Sequence, residues 1–195
     1  MIYLLRHGQT RFNVEERVQG SADSALTDLG REQAASQGRF LRDALEIDSA
    51  FEIISSPLGP AWKSAEIMRQ AAGLERPVIS DARLQEADFG SWERHTWPKI
   101  CERDPLIGEA PTFLSAWAHF CSDGESMDDA VSRLWGWLRW AGDRNFLVVS
   151  HGVAGCILRV LYNGGGKPEM FAASQTPPEV IHRLDMGWIE EITLP

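Results

Sequence analysis

Short apolar runs alternate along the chain with longer segments in which apolar residues recur every three or four positions. Four runs bounded by glycine, proline or polar residues predict buried β-strands, at residues 2–5, 51–55, 77–80 and 145–150. Four segments of helical period predict α-helices, at residues 27–45, 60–72, 126–140 and 152–162. Residues 84–92 are predicted to be irregular, residues 98–111 are predicted to run over the surface, and a polar loop is predicted after the first strand.

The last strands differ from the others in their spacing. Residues 180–184 and 188–194 flank Asp185-Met186-Gly187, which predicts a β-hairpin. Strands that alternate with helices and then end in a hairpin indicate an α/β fold. We expect a three-layer sandwich in which helices flank a mostly parallel sheet with an antiparallel edge. No repeat or linker interrupts the pattern, so residues 1–195 are predicted to form one domain.

Composition narrows the classes of partner. The chain has 195 residues and is 44% hydrophobic, which is sufficient for a buried core. Its formal net charge of −9 argues against a general nucleic-acid binder and against a polybasic membrane anchor. An anionic ligand therefore requires a local concentration of positive charge. We expect a small-molecule partner, with neither nucleic acid nor membrane. An exposed sheet edge or a tryptophan patch would also support a homodimer.

The cysteines and the N-terminal residues are used to predict the cellular compartment of the protein. The three cysteines, Cys101, Cys121 and Cys156, are widely spaced and form no CxxC motif, so a disulfide framework is not expected. Only a short apolar run precedes Arg6, which is too short for the core of a signal peptide. No later run is long enough to span a bilayer. These features predict a cytoplasmic protein.

Two strands end in the same way. The first ends in Arg6-His7-Gly8 and the fourth in Ser150-His151-Gly152. Ligands of open parallel sheets bind at the carboxyl ends of the strands, so the repeated context predicts a site containing both histidines. Either histidine alone would be interpreted as a cap at the end of its strand. A zinc site would need a third ligand, and the sequence has no HExxH motif, GxSxG elbow or phosphate-binding glycine loop.

Seven motifs in order along the chain resemble those of the histidine phosphatase superfamily. They are LRHGQTRFN, RVQG, ALTDLGREQA, SSPLGPAWKSAEI, LQEADFGSWE, GES and VVSHG. The resemblance extends over nearly the whole chain, and the ordered set is far more specific than RHG alone. It implies the phosphoglycerate-mutase-like fold and the formation of a phosphohistidine, with no metal and no cofactor.

The resemblance also assigns roles to residues. It makes His7 the nucleophile, which suits an imidazole with an ordinary pKa of about 6.5 because much of it is neutral. Arg6, Asn13 and His151 are implied to hold the phosphoryl group, since phosphoryl transfer depends on positioning and charge stabilisation. Glu86 is implied to protonate the leaving alcohol, which requires a carboxyl kept protonated by its surroundings. Two further residues are implied to approach the substrate: Gln19 and Gly20.

One position departs from the family pattern. Members usually have a second phosphate-binding arginine where this chain has Pro60, which offers neither charge nor donor. Loss of one preorganised donor typically costs about 10²–10³ in rate. Lys63, one helical turn further on, or Arg94, after Trp92-Glu93, would then supply the missing cation as a substrate-binding residue. Alternatively nothing compensates, and the protein is a slow enzyme or a binding module.

These observations predict a phosphomonoesterase that hydrolyses a small phosphorylated metabolite. Mutases of this family are usually longer and carry a basic insertion after the acid loop, whereas the interval 86–124 is short. The alternatives are a phospholigand-binding protein weakened at Pro60 and a mutase-type phosphotransferase. The residues Trp92, His95, Trp97 and Phe113 either line a pocket for an apolar leaving group or pack in the core.

Overall fold

Six strands form one sheet in the computed structural model, which describes residues 1–45, 47, 50–165 and 177–194. They are β1 (Ile2–Arg6), β2 (Glu52–Ser55), β3 (Val78–Ser80), β4 (Phe146–Ser150), β5 (Val180–Asp185) and β6 (Trp188–Thr193). Their order is β3-β2-β4-β1-β5-β6. The first four strands in this order run parallel, and β5 and β6 add antiparallel pairs. The predicted parallel sheet with an antiparallel edge is confirmed.

Helices cover both faces of the sheet. They are α1 (Arg11–Val14), α2 (Asp28–Ala44), α3 (Gly59–Ala72), α4 (Trp97–Arg103), α5 (Pro105–Gly108), α6 (Phe113–Phe120), α7 (Met127–Ala141) and α8 (Gly152–Tyr162). Alternate side chains of β1 enter two separate cores, as the two-residue period of a strand requires. Tyr3 and Leu5 pack with α2 and α3, whereas Ile2 and Leu4 pack with α7 and α8. The result is the predicted three-layer arrangement.

The hairpin between β5 and β6 has a two-residue turn. Met186 and Gly187 both have positive φ angles, of 46° and 83°. Two consecutive positive φ values are the signature of the type I′ turn, whose twist matches that of the flanking strands. The hairpin predicted from the sequence is therefore present at this position.

Two regions predicted to be irregular contain short helices. Residues 98–111 include α4 and α5, and the loop after β1 includes α1. Local caps replace the missing apolar period: the Asp104 side chain accepts a hydrogen bond from the Leu106 N–H (3.1 Å). Thr10 and Asn13 form a reciprocal capping box on α1. Within residues 84–92, a 3₁₀ turn occupies Gly90–Trp92.

Among the helices within the described ranges, none combines the length and the apolar character that a bilayer crossing needs.

The loop that carries His7 lies backbone to backbone against the start of α2. A Cβ atom on Gly8 would overlap the carbonyl oxygen of Gly30, and one on Gly30 would overlap that of Gln9. The Thr27 N–H donates to the Gln9 carbonyl (3.0 Å), and the Gly8 N–H donates to Ser64 Oγ (3.0 Å). This close approach fixes the loop directly after the first histidine.

The same substitution at two helical glycines should have opposite effects. We expect Gly30→Ala to lower the free energy of unfolding by about 1–3 kcal/mol, because the new methyl group meets backbone atoms. We expect Gly136→Ala, within α7, to raise it by about 0.5–1 kcal/mol, since a Cβ there meets nothing within 4 Å. Urea unfolding followed by circular dichroism measures both, and equal effects would contradict the described packing.

Candidate active site

The register of β1 and β4 brings the two histidines together. Arg6 pairs with Ser150, and the His7 N–H donates to the Ser150 carbonyl (3.1 Å). The next residue of each chain segment is a histidine, and the two imidazole centroids lie 5.1 Å apart at 63°. Both side chains are buried, with His7 only 3% and His151 only 2% exposed. Parallel pairing thus builds the centre of the site.

A pocket of about 180 Å³ opens over these rings. Seven residues that the sequence assigned to the site line it: Arg6, His7, Asn13, Gln19, Gly20, Glu86 and His151. The other lining residues are Glu16, Arg17, Val18, Phe89, Phe113 and Val153. Neither Lys63 nor Arg94 is among the described lining residues. Both are exposed, Lys63 on α3 and Arg94 after the 3₁₀ turn.

The hydrogen bond of His7 fixes its tautomer. Its Nδ1 lies 2.7 Å from the Gly8 carbonyl oxygen, which can only accept, so Nδ1 carries the proton. Burial, followed by the nearby Arg6 charge, lowers the pKa of His7 to about 3, although the Gly8 bond opposes this shift. The imidazole is therefore neutral near pH 7, and its Nε2 has a free lone pair.

His151 is also held in the neutral form. Burial lowers its pKa well below the ordinary value, and His7, Arg6 and Arg133 add to the effect. Its Nε2 lies 2.8 Å from Ser56 Oγ. Its Nδ1 is buried and has no hydrogen-bond partner within the described part of the chain.

Glu86 lies at the N-terminus of α8. Its carboxylate accepts hydrogen bonds from the N–H groups of Val153 (3.0 Å) and Ala154 (2.8 Å), and also from that of Ala87 (3.1 Å). Burial raises the pKa of Glu86, and this effect outweighs the backbone hydrogen bonds and the Arg6 charge, which lower it. The carboxyl group is thus both fixed in position and easier to protonate than an ordinary glutamate.

An ion pair that the sequence did not reveal supports the Glu86 loop. Arg133 binds both carboxylate oxygens of Glu125 (2.8 and 2.7 Å). Its remaining terminal nitrogen donates to the carbonyl oxygens of Arg83 (2.7 Å) and Gln85 (3.0 Å). The GES motif identifies Glu125, but no sequence signal connects it with an arginine eight residues later in α7.

The side-chain amides of Asn13 and Gln19, in the loop after β1, each have an NH₂ group that can donate hydrogen bonds. The Asn13 Oδ1 accepts from the Thr10 N–H (2.9 Å), and the Gln19 Oε1 accepts from the Thr10 hydroxyl (2.7 Å). Because both side-chain oxygens are occupied, each amide presents its NH₂ group to other partners. Donors of this kind suit an anionic ligand in the pocket.

Two arginines, Arg6 and Arg17, are among the described residues that line the pocket. Arg17 belongs to the RVQG motif, but the sequence analysis did not predict that it would line the pocket. Its Nε pairs with Glu15 (2.6 Å), and its Nη1 donates to the Arg94 carbonyl (2.8 Å). The side chain of Arg94 is exposed, and its backbone has a positive φ of 66°. The part of Arg94 that contacts Arg17 is therefore its carbonyl oxygen.

Aromatic side chains form one wall of the pocket. Phe89 and Phe113 line it, with ring centroids 5.0 Å apart in an edge-to-face arrangement. The rings of Trp92 and Trp97 pack against that of Phe113, with ring centroids 6.1 and 5.5 Å away. Of the four residues proposed for a pocket or a core, Phe113 lines the pocket, whereas Trp92, Trp97 and His95 are not among the described lining residues.

The place of the missing arginine is the first turn of α3. Pro60 is buried there, in a position where a helix tolerates proline. Within the described residues, no group of three or more histidine, cysteine or carboxylate side chains is arranged to hold a metal ion.

Comparison with known proteins agrees with this geometry. The probable phosphoglycerate mutase GpmB of Cronobacter sakazakii is 36% identical over 170 residues, covering 82% of this chain and 74% of that protein. The structure of YhfR from Bacillus stearothermophilus has a TM-score of 0.79 at 30% identity and covers 98% of this chain and 95% of its own. Mycobacterial glucosyl-3-phosphoglycerate phosphatase, in complex with VO3, has a TM-score of 0.75 at 26% identity, with coverages of 98% and 96%.

A family model matches almost the full length. The model of the histidine phosphatase superfamily (branch 1) covers residues 2–186, which include both strand-end histidines, the Glu86 loop and β5. The chain belongs to the histidine phosphatase superfamily, branch 1.

Proposed function

We propose that this protein is a phosphomonoesterase that works through a phosphohistidine on His7. One observation carries the proposal: a neutral, buried His7 has its proton fixed on Nδ1 and lines the same pocket as Arg6, His151 and Glu86. A free lone pair, a phosphate-binding cation and an acid therefore meet in one small space. Its relatives include proteins named as mutases and as phosphatases.

In the first step, His7 Nε2 attacks phosphorus and the bond from phosphorus to the ester oxygen breaks. The imidazole becomes positively charged, and the Nδ1–H bond to the Gly8 carbonyl stabilises that charge. Glu86 gives its proton to the leaving oxygen, a role that its raised pKa favours. Arg6 and His151 stabilise the phosphoryl oxygens.

In the second step, a water molecule attacks the phosphohistidine. Glu86, now ionised, accepts a proton from this water as the oxygen bonds to phosphorus. The bond from Nε2 to phosphorus breaks, His7 regains its lone pair, and inorganic phosphate leaves. The cycle returns both residues to their starting protonation states.

The walls of the pocket favour hydrolysis of an ester with an apolar leaving group. The leaving oxygen must lie next to Glu86, and three residues that line the same pocket, Val153, Phe89 and Phe113, are apolar. The basic residues of the interval after Glu86 do not line the described pocket; they are Arg94, Lys99 and Arg103. A cationic lid that would keep a bisphosphate substrate from water therefore has no support here.

A phospholigand-binding protein of low turnover is the second candidate, and Pro60 is the observation that favours it. Among the described residues, the arginines that line the pocket are Arg6 and Arg17. The family's usual second arginine is replaced by Pro60. Retention of His7, Glu86 and His151 together favours turnover.

Removal of the nucleophile should abolish turnover. We expect His7→Ala to lower kcat by more than about 10³-fold for a chromogenic phosphate ester with EDTA present, because no other group can form the intermediate. The matched control is His119→Ala, which changes an exposed histidine on α6 and should retain full activity. Equal phosphate release by wild type and His7→Ala would contradict the proposal.

The acid role of Glu86 predicts a pH dependence. The protonated carboxyl is the form that acts in the first step, so kcat/KM should fall as pH rises through the raised pKa of Glu86. We expect Glu86→Gln to remove this falling limb and to lower kcat about 10²–10⁴-fold for an alkyl phosphate. The loss should be smaller for 4-nitrophenyl phosphate, whose leaving group needs little protonation. An unchanged falling limb in Glu86→Gln would assign that limb to another residue.

Restoring the family's arginine should distinguish a weakened site from a complete one. We expect Pro60→Arg to raise kcat/KM for a chromogenic ester by up to about 10²-fold, since it adds one charged donor. Pro60→Ala is the control, because it removes the proline ring without adding a donor. Equal rates for the two variants would show that the pocket lacks no donor at this position.

A further inference from the structure

Ser56 is the third strand-end residue that converges on the site. It follows β2, its N–H donates to the Val149 carbonyl (3.0 Å), and its side chain is fully buried. Its Oγ lies 2.8 Å from the Nε2 of His151. The mechanism above assigns Ser56 no role, and yet this hydroxyl contacts the ring that is to hold the phosphoryl group.

The hydrogen bonds around Ser56 determine the direction of this contact. The Leu58 N–H donates to Ser56 Oγ (3.2 Å), so one lone pair of that oxygen is already used. The hydroxyl has one proton of its own to donate, and His151 Nε2 is the acceptor within reach among the described residues. If Nε2 carried a proton instead, two donors would face each other or the hydroxyl proton would have no buried acceptor.

We propose that Ser56 is a positioning residue that donates its hydroxyl proton to Nε2 of His151 and thereby keeps the His151 proton on Nδ1. This inference rests on the proposed phosphatase function, and it specifies which ring nitrogen of His151 carries the proton. The Nδ1–H then donates to an oxygen of the bound phosphoryl group.

The unpartnered Nδ1 supports this assignment. It is buried and makes no hydrogen bond within the described residues, whereas buried polar atoms normally have a partner. His151 lines the pocket beside His7, so the bound phosphate group is the partner that this geometry supplies. A neutral imidazole has only one N–H, and the tautomer therefore decides whether His151 donates to the ligand at all.

The direct test is the ¹⁵N spectrum of the His151 ring in the wild-type protein, assigned by loss of its signals in His151→Gln. We expect Nδ1 to have the shift of a protonated nitrogen and Nε2 that of an unprotonated one near neutral pH. Addition of inorganic phosphate should move the Nδ1 proton downfield. A proton on Nε2 in the free protein, or no response of Nδ1 to saturating phosphate, would overturn the proposal.

Variants separate the hydroxyl from the packing of Ser56. We expect Ser56→Ala to mix the two tautomers in the spectrum and to lower kcat/KM about tenfold, the effect of one hydrogen bond. Ser56→Thr, which retains the hydroxyl, should restore both. Ser55→Ala is the matched control, because it removes a neighbouring buried hydroxyl that donates to the backbone carbonyl of Ser56 (2.9 Å) and not to His151. An unmixed spectrum in Ser56→Ala would contradict the role of Ser56.

The two proposals fail in different ways. Absence of phosphatase activity in the wild-type protein would overturn the proposed function, while the ring spectrum would still report the tautomer. If Ser56→Ala does not fold, the wild-type spectrum and its response to phosphate decide the question alone.

Discussion

The pairing of β1 with β4 is the interaction on which the site depends. It places Arg6 opposite Ser150, so that His7 and His151 leave the sheet at the same level and their rings lie 5.1 Å apart. A shift of one residue in this register would send each side chain to the opposite face of the sheet. The strand β4 is buried along its whole length.

Burial then sets the chemistry of the paired rings. Two imidazoles beside Arg6 in a water-poor site stay neutral, and their pKa values lie below the ordinary value. The same burial raises the pKa of Glu86. A single physical cause thus leaves an imidazole with a free lone pair and a carboxyl group that is easily protonated, which are the two groups that the proposed mechanism needs. The protein has a net charge of −9, and the described residues that line the pocket include the arginines Arg6 and Arg17 beside the glutamates Glu16 and Glu86.

The sequence predicts those parts of the fold and site that depend on local pattern. The matching ends at His7 and His151 are visible because each follows a buried strand directly, and the mostly parallel character of the sheet follows from the alternation of strands and helices. Arg17 and Arg133 were missed, since they bind backbone carbonyl oxygens of segments that are distant in sequence, at Arg94 for Arg17 and at Arg83 and Gln85 for Arg133. The helices α1 and α5 were missed because side-chain caps, rather than an apolar period, define them.

The most direct test of the account is the position of the phosphoryl group on the protein. Rapid acid-free quenching during turnover, followed by mass spectrometry and ³¹P NMR, identifies the modified residue and the ring nitrogen. The account predicts phosphorylation of His7 on Nε2, since the Gly8 carbonyl holds the proton on Nδ1. Phosphorylation of Nδ1 or of His151, or phosphate release with no protein-bound intermediate, would contradict it.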